Sequence, residues 1–175
     1  MKTLYIERST GACRDGNWIE SLDLEGVERI VVGIGPGSFA GIRAALAFAQ
    51  GYAIGTGRCE VLGLSSACAC AGDGKIAVVG DARRDKIWIA LFDGFTPLGD
   101  VFQVDRADLA AKVPDDFRVV TPDEARIGEM LRETFGERYL GGRQPTVDGL
   151  RRFAEQNPSV LKREPLPIYL NPAVR

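Results

Sequence analysis

A glycine-rich turn lies between a hydrophobic segment and a long uncharged one, and turns of this kind can bind phosphate. Gly35, Gly37 and Ala40 match the G-x-G-x-x-A pattern of dinucleotide-binding turns, which follow a strand and open a helix. Such sites also need an acidic residue at the end of the next strand, where it holds the ribose. The acid of that predicted strand, Glu60, lies at its beginning instead. We therefore expect no dinucleotide cofactor, and we expect Gly33 and Gly35 to permit a tight turn and close packing.

A second candidate site is the charged segment around Asp81 and Arg83. Asp81 ends a predicted strand and is followed by Arg83, Arg84 and Asp85, so this group could bind a nucleotide phosphate or a magnesium ion. Local ion pairs in an exposed turn explain the same charges without a ligand, and we favour that interpretation. We expect no cofactor for the chain alone, and ATP with magnesium only within a complex.

The cysteines, and the absence of histidine, restrict the chemistry further. Cys68 and Cys70 are separated by one residue, unlike the Cys-x-x-Cys pairs of zinc sites, so we expect small buried residues and no metal ligand. Without histidine the chain has no Ser-His-Asp triad and no Cys-His pair. Ser38 then has no base to activate it, and we predict that it caps a helix. We predict no catalytic residue.

Length and charge favour a folded protein that binds no nucleic acid tightly by itself. The chain has 175 residues, of which 45% are hydrophobic, enough for a core without disulfides. Its 22 basic and 24 acidic residues give a net charge of -2, so there is no strong positive field. The sequence shows no signal-peptide pattern and no apolar run of membrane-spanning length, and we expect a cytoplasmic protein without membrane contact.

Hydrophobic patterning predicts an α/β protein with a break at residues 72–74. In the first half we predict a hairpin of two strands around a turn at residues 15–17, then two further strands and two helices. These strands are at 3–7, 18–22, 30–32 and 60–64, and the helices at 42–52 and 65–71. The second half should contain a meander followed by helices. Its predicted strands are at 75–80, 86–92 and 101–104, and its predicted helices at 108–112, 123–135 and 147–157.

The helix predicted at 42–52 is almost uncharged. Between residues 39 and 57 the only charge is Arg43, whereas a surface helix normally has a solvated polar face, so we expect another molecule to cover it. In this interpretation Gly41, Ala45 and Ala49 let two such helices approach closely, as in a homodimer. The predicted interface residues are Gly37, Ser38, Phe39, Gly41, Ile42, Arg43, Ala45, Leu46 and Ala49.

Residues 33–43, with the sequence GIGPGSFAGIR, resemble the signature of the TsaB (YeaZ) family, and weaker similarities occur at 4–13, 80–88 and 165–170. The resemblance implies an actin-like, RNase H-like fold of two lobes, which we place at residues 1–72 and 73–175. The last segment would pack back on the first lobe. Few residues separate Cys13 from Ile30, so the first lobe would be shortened relative to the family.

The same resemblance implies a non-catalytic subunit of the machinery that adds threonylcarbamoyl to the adenosine beside the tRNA anticodon. Such a subunit pairs with a TsaD-like transferase, which carries the metal-binding histidines, and a TsaE-like ATPase joins them. The family's early Asp-Thr pair is replaced by Glu7 and Arg8, for which we predict an ion pair. One alternative is a small actin-like ATPase or kinase that uses Asp81, and another is a degenerate homologue that only self-associates. A third is a glycoprotease-like peptidase, and the absence of histidine argues against it.

Overall fold

The computed structural model describes residues 1–10 and 18–170, and its first part is a parallel sheet with one long helix. The strands are β1 (Lys2–Ile6), β2 (Val27–Gly33) and β3 (Glu60–Leu64), in the order β1-β2-β3, and helix α1 (Phe39–Thr56) connects the last two. Both pairings are parallel, with Leu4 opposite Ile30 and Val32 opposite Gly63. The central strand β2 is buried on both faces, which explains its continuous apolar sequence.

A mixed sheet forms the second part. Its strands are β4 (Lys75–Arg83), β5 (Lys86–Asp93), β6 (Thr96–Pro97), β7 (Phe102–Asp105), β8 (Arg118–Thr121) and β9 (Tyr139–Gly142). The antiparallel pair β4 and β5 forms its centre, and β6 and β7 both pair with β5. On the other side, β8 pairs parallel with β4, and β9 pairs parallel with β8.

Short helices cover this second sheet and connect it to the first. They are α2 (Leu109–Lys112), α3 (Glu124–Phe135) and α4 (Val147–Gln156), with a 3-10 helix at Ser66–Cys70. The start of α4 is capped by Thr146, whose hydroxyl accepts a hydrogen bond from the Gly149 amide at 3.0 Å. A Cβ on Gly149 would lie 2.4 Å from the Ala69 carbonyl oxygen, so glycine allows α4 to contact the 3-10 helix directly.

One hydrophobic core is shared by both sheets. Val31 and Leu64 of the first sheet belong to the same cluster as Val78 and Phe92 of the second, and Phe153 of α4 completes it with no exposed surface. The Phe153 ring lies 5.6 Å from that of Phe92, in an edge-to-face arrangement. The boundary proposed at residue 72 therefore lies beside a continuous core, and the division into 1–72 and 73–175 stays a prediction.

The predicted opening hairpin is wrong. Residues 18–22 form a turn, in which the Leu22 amide donates to the Ile19 carbonyl at 3.1 Å, and β1 pairs with β2 in parallel. Parallel strands need a crossover connection, which a local turn pattern cannot reveal. The turn predicted at 15–17 lies outside the described residues. Among residues 1–10 and 18–170, the helices are too short or too polar to span a membrane.

Candidate functional site

The glycine turn before α1 is held by hydrogen bonds from two sides. On one side, the Ser38 amide donates to the Ser9 carbonyl at 2.5 Å, beyond the end of β1. On the other, the Gly35 amide donates to Ser66 Oγ at 3.0 Å, and the Gly35 carbonyl accepts from the Ser66 amide at 2.8 Å and from Ser65 Oγ at 3.0 Å. The turn is therefore fixed between β1 and the 3-10 helix.

Glycine is required in this turn because other backbone segments approach it closely. A Cβ on Gly37 would lie 2.2 Å from the Ser9 carbonyl oxygen, and a Cβ on Gly41 would lie 2.0 Å from that of Arg8. A Cβ on Gly33 would lie 1.9 Å from Glu7 Oε2, and Gly35 has a left-handed φ of +92°. The close packing predicted for Gly33 and Gly35 is confirmed.

Helix α1 begins and ends with standard caps. Ser38 Oγ accepts a hydrogen bond from the Gly41 amide at 3.3 Å, so the predicted capping role of Ser38 is confirmed. At the other end, Gly57 adopts a φ of 67° and its amide donates to the Ala53 carbonyl at 2.9 Å. The helix is longer than the predicted 42–52, because both caps lie beyond that range.

One side of α1 is part of the protein's own core, which corrects the predicted interface. Ile42, Ala45, Leu46 and Ala49 are between 0% and 6% exposed and pack on the first sheet. The four residues recur at three-and-four spacing, so a single apolar stripe is buried by the chain itself. Ala45 and Ala49 are therefore unavailable for a homodimer contact, and an arginine at residue 45 would disrupt folding.

The opposite side of α1 is exposed over its whole length and carries little charge. We call it the outward face, and it consists of Phe39, Ala40, Arg43, Ala44, Ala47, Gln50, Gly51 and Ile54. Phe39 is 56% exposed and Ile54 is 83% exposed, at the two ends of the helix. Arg43 is its one charged residue. Small residues recur on this side, opposite the bulky Ile42 and Leu46 of the buried side.

The segment after residue 161 extends the outward face. Lys162 forms an antiparallel bridge with Gly63 of β3, and the Ile168 amide donates to the Ile34 carbonyl at 2.9 Å. These bonds place Tyr169 against Phe39, with 5.6 Å between the ring centroids. The Arg43 guanidinium lies 4.9 Å from the centroid of the Phe39 ring. Phe39, Arg43 and Tyr169 thus form one exposed group at the start of α1.

A cleft of about 990 Å³ lies between the glycine turn and the end of β4. Gly37, Ser38 and Phe39 line it on one side. The other side contains Asp81 and Arg83, so the structure brings the two predicted sites to one cleft.

Within this cleft, the Asp81 carboxylate is engaged by neighbouring groups. Its Oδ1 accepts from the Arg83 amide at 2.9 Å, and its Oδ2 lies 3.5 Å from Arg126 Nη1 and 3.8 Å from Arg83 Nη1. The Asp81 amide donates to Asp123 Oδ2 at 2.9 Å. Asp81 thus forms ion pairs with Arg83 and Arg126, and the preference for local ion pairs over a ligand stays a prediction. Asp123 and Arg126 were missed because they are distant in sequence.

Glu7 and Arg8, which follow β1, contact different residues. The Glu7 carboxylate lies against Gly33, accepts from the Ser9 amide at 2.7 Å, and has a pKa raised above its usual value by burial. The Arg8 guanidinium lies 4.5 Å from the centroid of the Trp18 ring. The ion pair between Glu7 and Arg8 stays a prediction.

The cysteines of the 3-10 helix are buried. Cys68 and Cys70 are 5% and 0% exposed, which confirms the prediction of small buried residues. Burial raises the pKa of the Cys68 thiol to about 12 and also raises that of Cys70, whose Sγ donates to the Arg143 carbonyl at 3.1 Å. Within residues 1–10 and 18–170, no three His, Cys, Asp or Glu side chains are placed to hold a metal ion.

Comparison with known proteins identifies the family. Residues 19–117 match the model of the family TsaD: tRNA N6-adenosine threonylcarbamoyltransferase. Two uncharacterized proteins, from Mycobacterium bovis and Mycobacterium tuberculosis (strain H37Rv), are each 38% identical over 82 residues. The match covers 45% of this chain and 38% of each relative, so the chain spans well under half the length of the curated relatives it matches.

Solved structures of low sequence identity share the fold. YeaZ from Pseudomonas aeruginosa has a TM-score of 0.70 at 20% identity, with 96% of this chain and 99% of that chain covered. An uncharacterized Pseudomonas aeruginosa protein with similarity to peptidase YeaZ has a TM-score of 0.70 at 19% identity, with 97% and 99% covered. The predicted α/β, actin-like and RNase H-like fold is thereby confirmed. Because the family model matches more than half of its residues, the chain belongs to the TsaD family, and within it this is a protein like TsaB (YeaZ).

Proposed function

We propose that the protein is a non-catalytic scaffold subunit of the tRNA threonylcarbamoyladenosine machinery, and that it binds a TsaD-like subunit through the outward face of α1. The observation that carries this proposal is the exposure of that face from Phe39 to Ile54 with Arg43 as its one charge. Family membership supplies the type of partner, since a paralogue of the same fold offers a matching helix. A TsaE-like ATPase would join this pair.

The composition of the outward face suits a helix-to-helix contact. Ala40, Ala44, Ala47 and Gly51 follow one another at three- and four-residue intervals, so a partner helix could approach at the short end of usual interaxial distances. Phe39 at one end would insert into the partner, because exposed aromatic residues and arginines supply much of the energy of protein interfaces. Tyr169 already contacts the Phe39 ring, and such preorganisation lowers the entropic cost of binding.

The chemistry of the described residues supports a role without catalysis. The thiols of Cys68 and Cys70 are buried and have raised pKa values, which disfavours the thiolate form that a nucleophile needs. Asp81 would have to leave Arg83 and Arg126 before it could hold magnesium, so an ATPase using Asp81 needs a rearrangement. Calorimetry with magnesium and ATP on the wild type and on Asp81→Asn tests that alternative, and we expect no heat of binding that depends on Asp81.

Replacing Ala44 with arginine should strongly weaken binding to a TsaD-like subunit. Ala44 is exposed at the centre of the outward face, so the change leaves the core intact but buries a charge without a counterion in the complex. We expect co-purification with a TsaD-like protein at micromolar concentration for the wild type, and at least a hundredfold weaker binding for Ala44→Arg, roughly 2.7 kcal/mol. Calorimetric titration measures both affinities.

The matched control is Ala111→Arg, which places the same side chain on an exposed alanine of α2. It should bind the partner like the wild type. Failure of two folded partners to associate at micromolar concentration would remove the proposal. Equal binding by Ala44→Arg would show that the contact uses another surface.

Without a partner, the same face should cause self-association. Two copies of α1 could pack through their small residues around a twofold axis, as proposed from the sequence, but through Ala44 and Ala47 in place of Ala45 and Ala49. We expect a concentration-dependent mass in analytical ultracentrifugation and a monomer for Ala44→Arg. A wild-type monomer at high concentration would contradict self-association, while leaving binding to a TsaD-like subunit open to the first test.

A further inference from the structure

A second cleft, of about 390 Å³, is lined by three arginines and by no residue of α1. Arg118 begins β8, Arg143 follows β9, and Arg152 belongs to α4. We call this the arginine cleft. Three separate elements bring these side chains together, so the cluster is a product of the fold, and the sequence alone gave no indication of it.

Within residues 1–10 and 18–170, the three arginines of this cleft have no carboxylate counterion, unlike several other arginines. Arg29, Arg132 and Arg151 are paired with Glu60, Glu124 and Asp148 at 2.8, 3.3 and 2.9 Å. Among the described residues, no carboxylate oxygen lies within 4.0 Å of a guanidinium nitrogen of the cleft arginines, although Asp73 lines the same cleft. Like charges that converge in a concave site repel one another and attract an anion.

Two of the three guanidinium groups are already oriented. Arg143 Nη1 donates to the Cys70 carbonyl at 3.0 Å, which leaves its other donors for a ligand. Arg152 lies over the Phe95 ring at 5.8 Å, and that ring packs against Phe153 at 5.7 Å. Because the hydrogen bond holds Arg143 and the ring contact favours one position of Arg152, binding an anion costs less conformational entropy than it would on freely rotating arginines.

The surroundings of the arginines indicate what kind of anion fits. Guanidinium groups match the oxygens of phosphate, with two parallel hydrogen bonds for each arginine. Phe95 and Leu140, which is 44% exposed, add an apolar wall beside the charges. The volume lies within the range of small-molecule sites and can hold a ring as well as a phosphate group.

We propose that the arginine cleft binds a nucleotide, with the phosphate on Arg118, Arg143 and Arg152 and the base against Phe95 and Leu140. The nucleotide is either free or part of an RNA strand. The site is separate from the outward face of α1 and does not depend on the proposed partner. The net charge of -2 argues against binding along many phosphates of a nucleic acid. A local site of three arginines needs to contact only one or two phosphates.

The test uses the whole chain and three probes: inorganic phosphate, AMP and a fluorescently labelled five-nucleotide single-stranded RNA. Calorimetry measures the first two and fluorescence anisotropy measures the third, at low salt. We expect AMP or the RNA to bind more tightly than phosphate. Arg118→Ala and Arg152→Ala should each weaken binding about tenfold, the usual effect of losing a hydrogen bond between charged groups.

Arg151→Ala is the matched control, because Arg151 is next to Arg152 in sequence, is exposed and is paired with Asp148. It should bind like the wild type. Tighter binding of AMP would assign the site to a free nucleotide. Tighter binding of the RNA would assign it to a strand, and the slope of log K against log salt concentration should then fall by about 0.7 for each arginine removed. The proposal would be overturned if none of the three probes bound, or if phosphate and AMP bound equally and the RNA did not bind. Unchanged affinity in Arg118→Ala and Arg152→Ala would also overturn it.

Discussion

Replacing Gly41 with alanine is expected to destabilise the protein by about 2 kcal/mol, although alanine is the better helix former. A Cβ at this position would lie 2.0 Å from the carbonyl oxygen of Arg8, and no rotation of a side chain can relieve a clash with backbone. Either the start of α1 or the segment after β1 must move. The hydrogen bond from the Ser38 amide to the Ser9 carbonyl, at 2.5 Å, would then lengthen.

Gly51→Ala is the matched control on the same helix. No atom lies within 4 Å of the position that its Cβ would take, so only the helical preference of alanine remains. This variant should be more stable than the wild type by about 0.5–1 kcal/mol. Urea unfolding followed by circular dichroism measures both changes. If the free energy of unfolding changes in the same direction in both variants, then the approach of the Arg8 carbonyl does not explain the glycine at residue 41.

Much of the fold could be predicted because most central elements have strong local patterns. The apolar runs of β2, β4 and β5 and the segments of α3 and α4 all appear close to their predicted ranges. The strands β8 and β9 were missed. Each has four residues, β8 begins with a charged Arg118, and β9 ends in two glycines. Their stability comes from parallel pairing with distant segments, which no local window contains.

The candidate site was predicted only in part, because local patterns show some of its features and contacts between distant segments determine the others. The glycine turn, the Ser38 cap and the uncharged helix follow from neighbouring residues. The orientation of α1 does not, because both of its sides are apolar and only side-chain size separates Leu46 from Ala47. Contacts such as Phe39 with Tyr169 join residues far apart in the chain. Such pairs depend on how the last segment returns to β3, which is a tertiary event.

Glu7 is expected to make the protein less stable as the pH rises above the acidic range. Burial raises the pKa of its carboxyl group from the usual 4.5, and this outweighs the hydrogen bonds from Ser9, Ser66 and the Arg8 backbone that oppose it. The folded protein therefore holds the proton more tightly than the unfolded chain does. The resulting stabilisation is fully present below pH 4.5 and is lost as the pH rises through the raised pKa.

The Glu7→Gln variant isolates this effect because glutamine has the same shape and no charge. Relative to the variant, the wild type should lose about 1.4 kcal/mol of stability per pH unit between pH 4.5 and the raised pKa, since one proton is released on unfolding. Asp23 and Asp116 have pKa values lowered by Lys2 and Lys75, and they act in the opposite direction. They are present in both proteins, so they cancel in the difference.

Urea unfolding at a series of pH values gives the difference in the free energy of unfolding between the wild type and Glu7→Gln as a function of pH. The exposed Glu20→Gln serves as the control for loss of a carboxylate, and its curve should run parallel to that of the wild type. A difference between wild type and Glu7→Gln that stays constant from pH 4.5 upward would show that the Glu7 carboxyl group is not retained in its neutral form by the fold. A difference that grows from pH 4.5 and then levels off would show that the fold keeps the Glu7 carboxyl group beside Gly33 neutral up to its raised pKa, and that the protein bears the cost of a buried carboxylate only above that pKa.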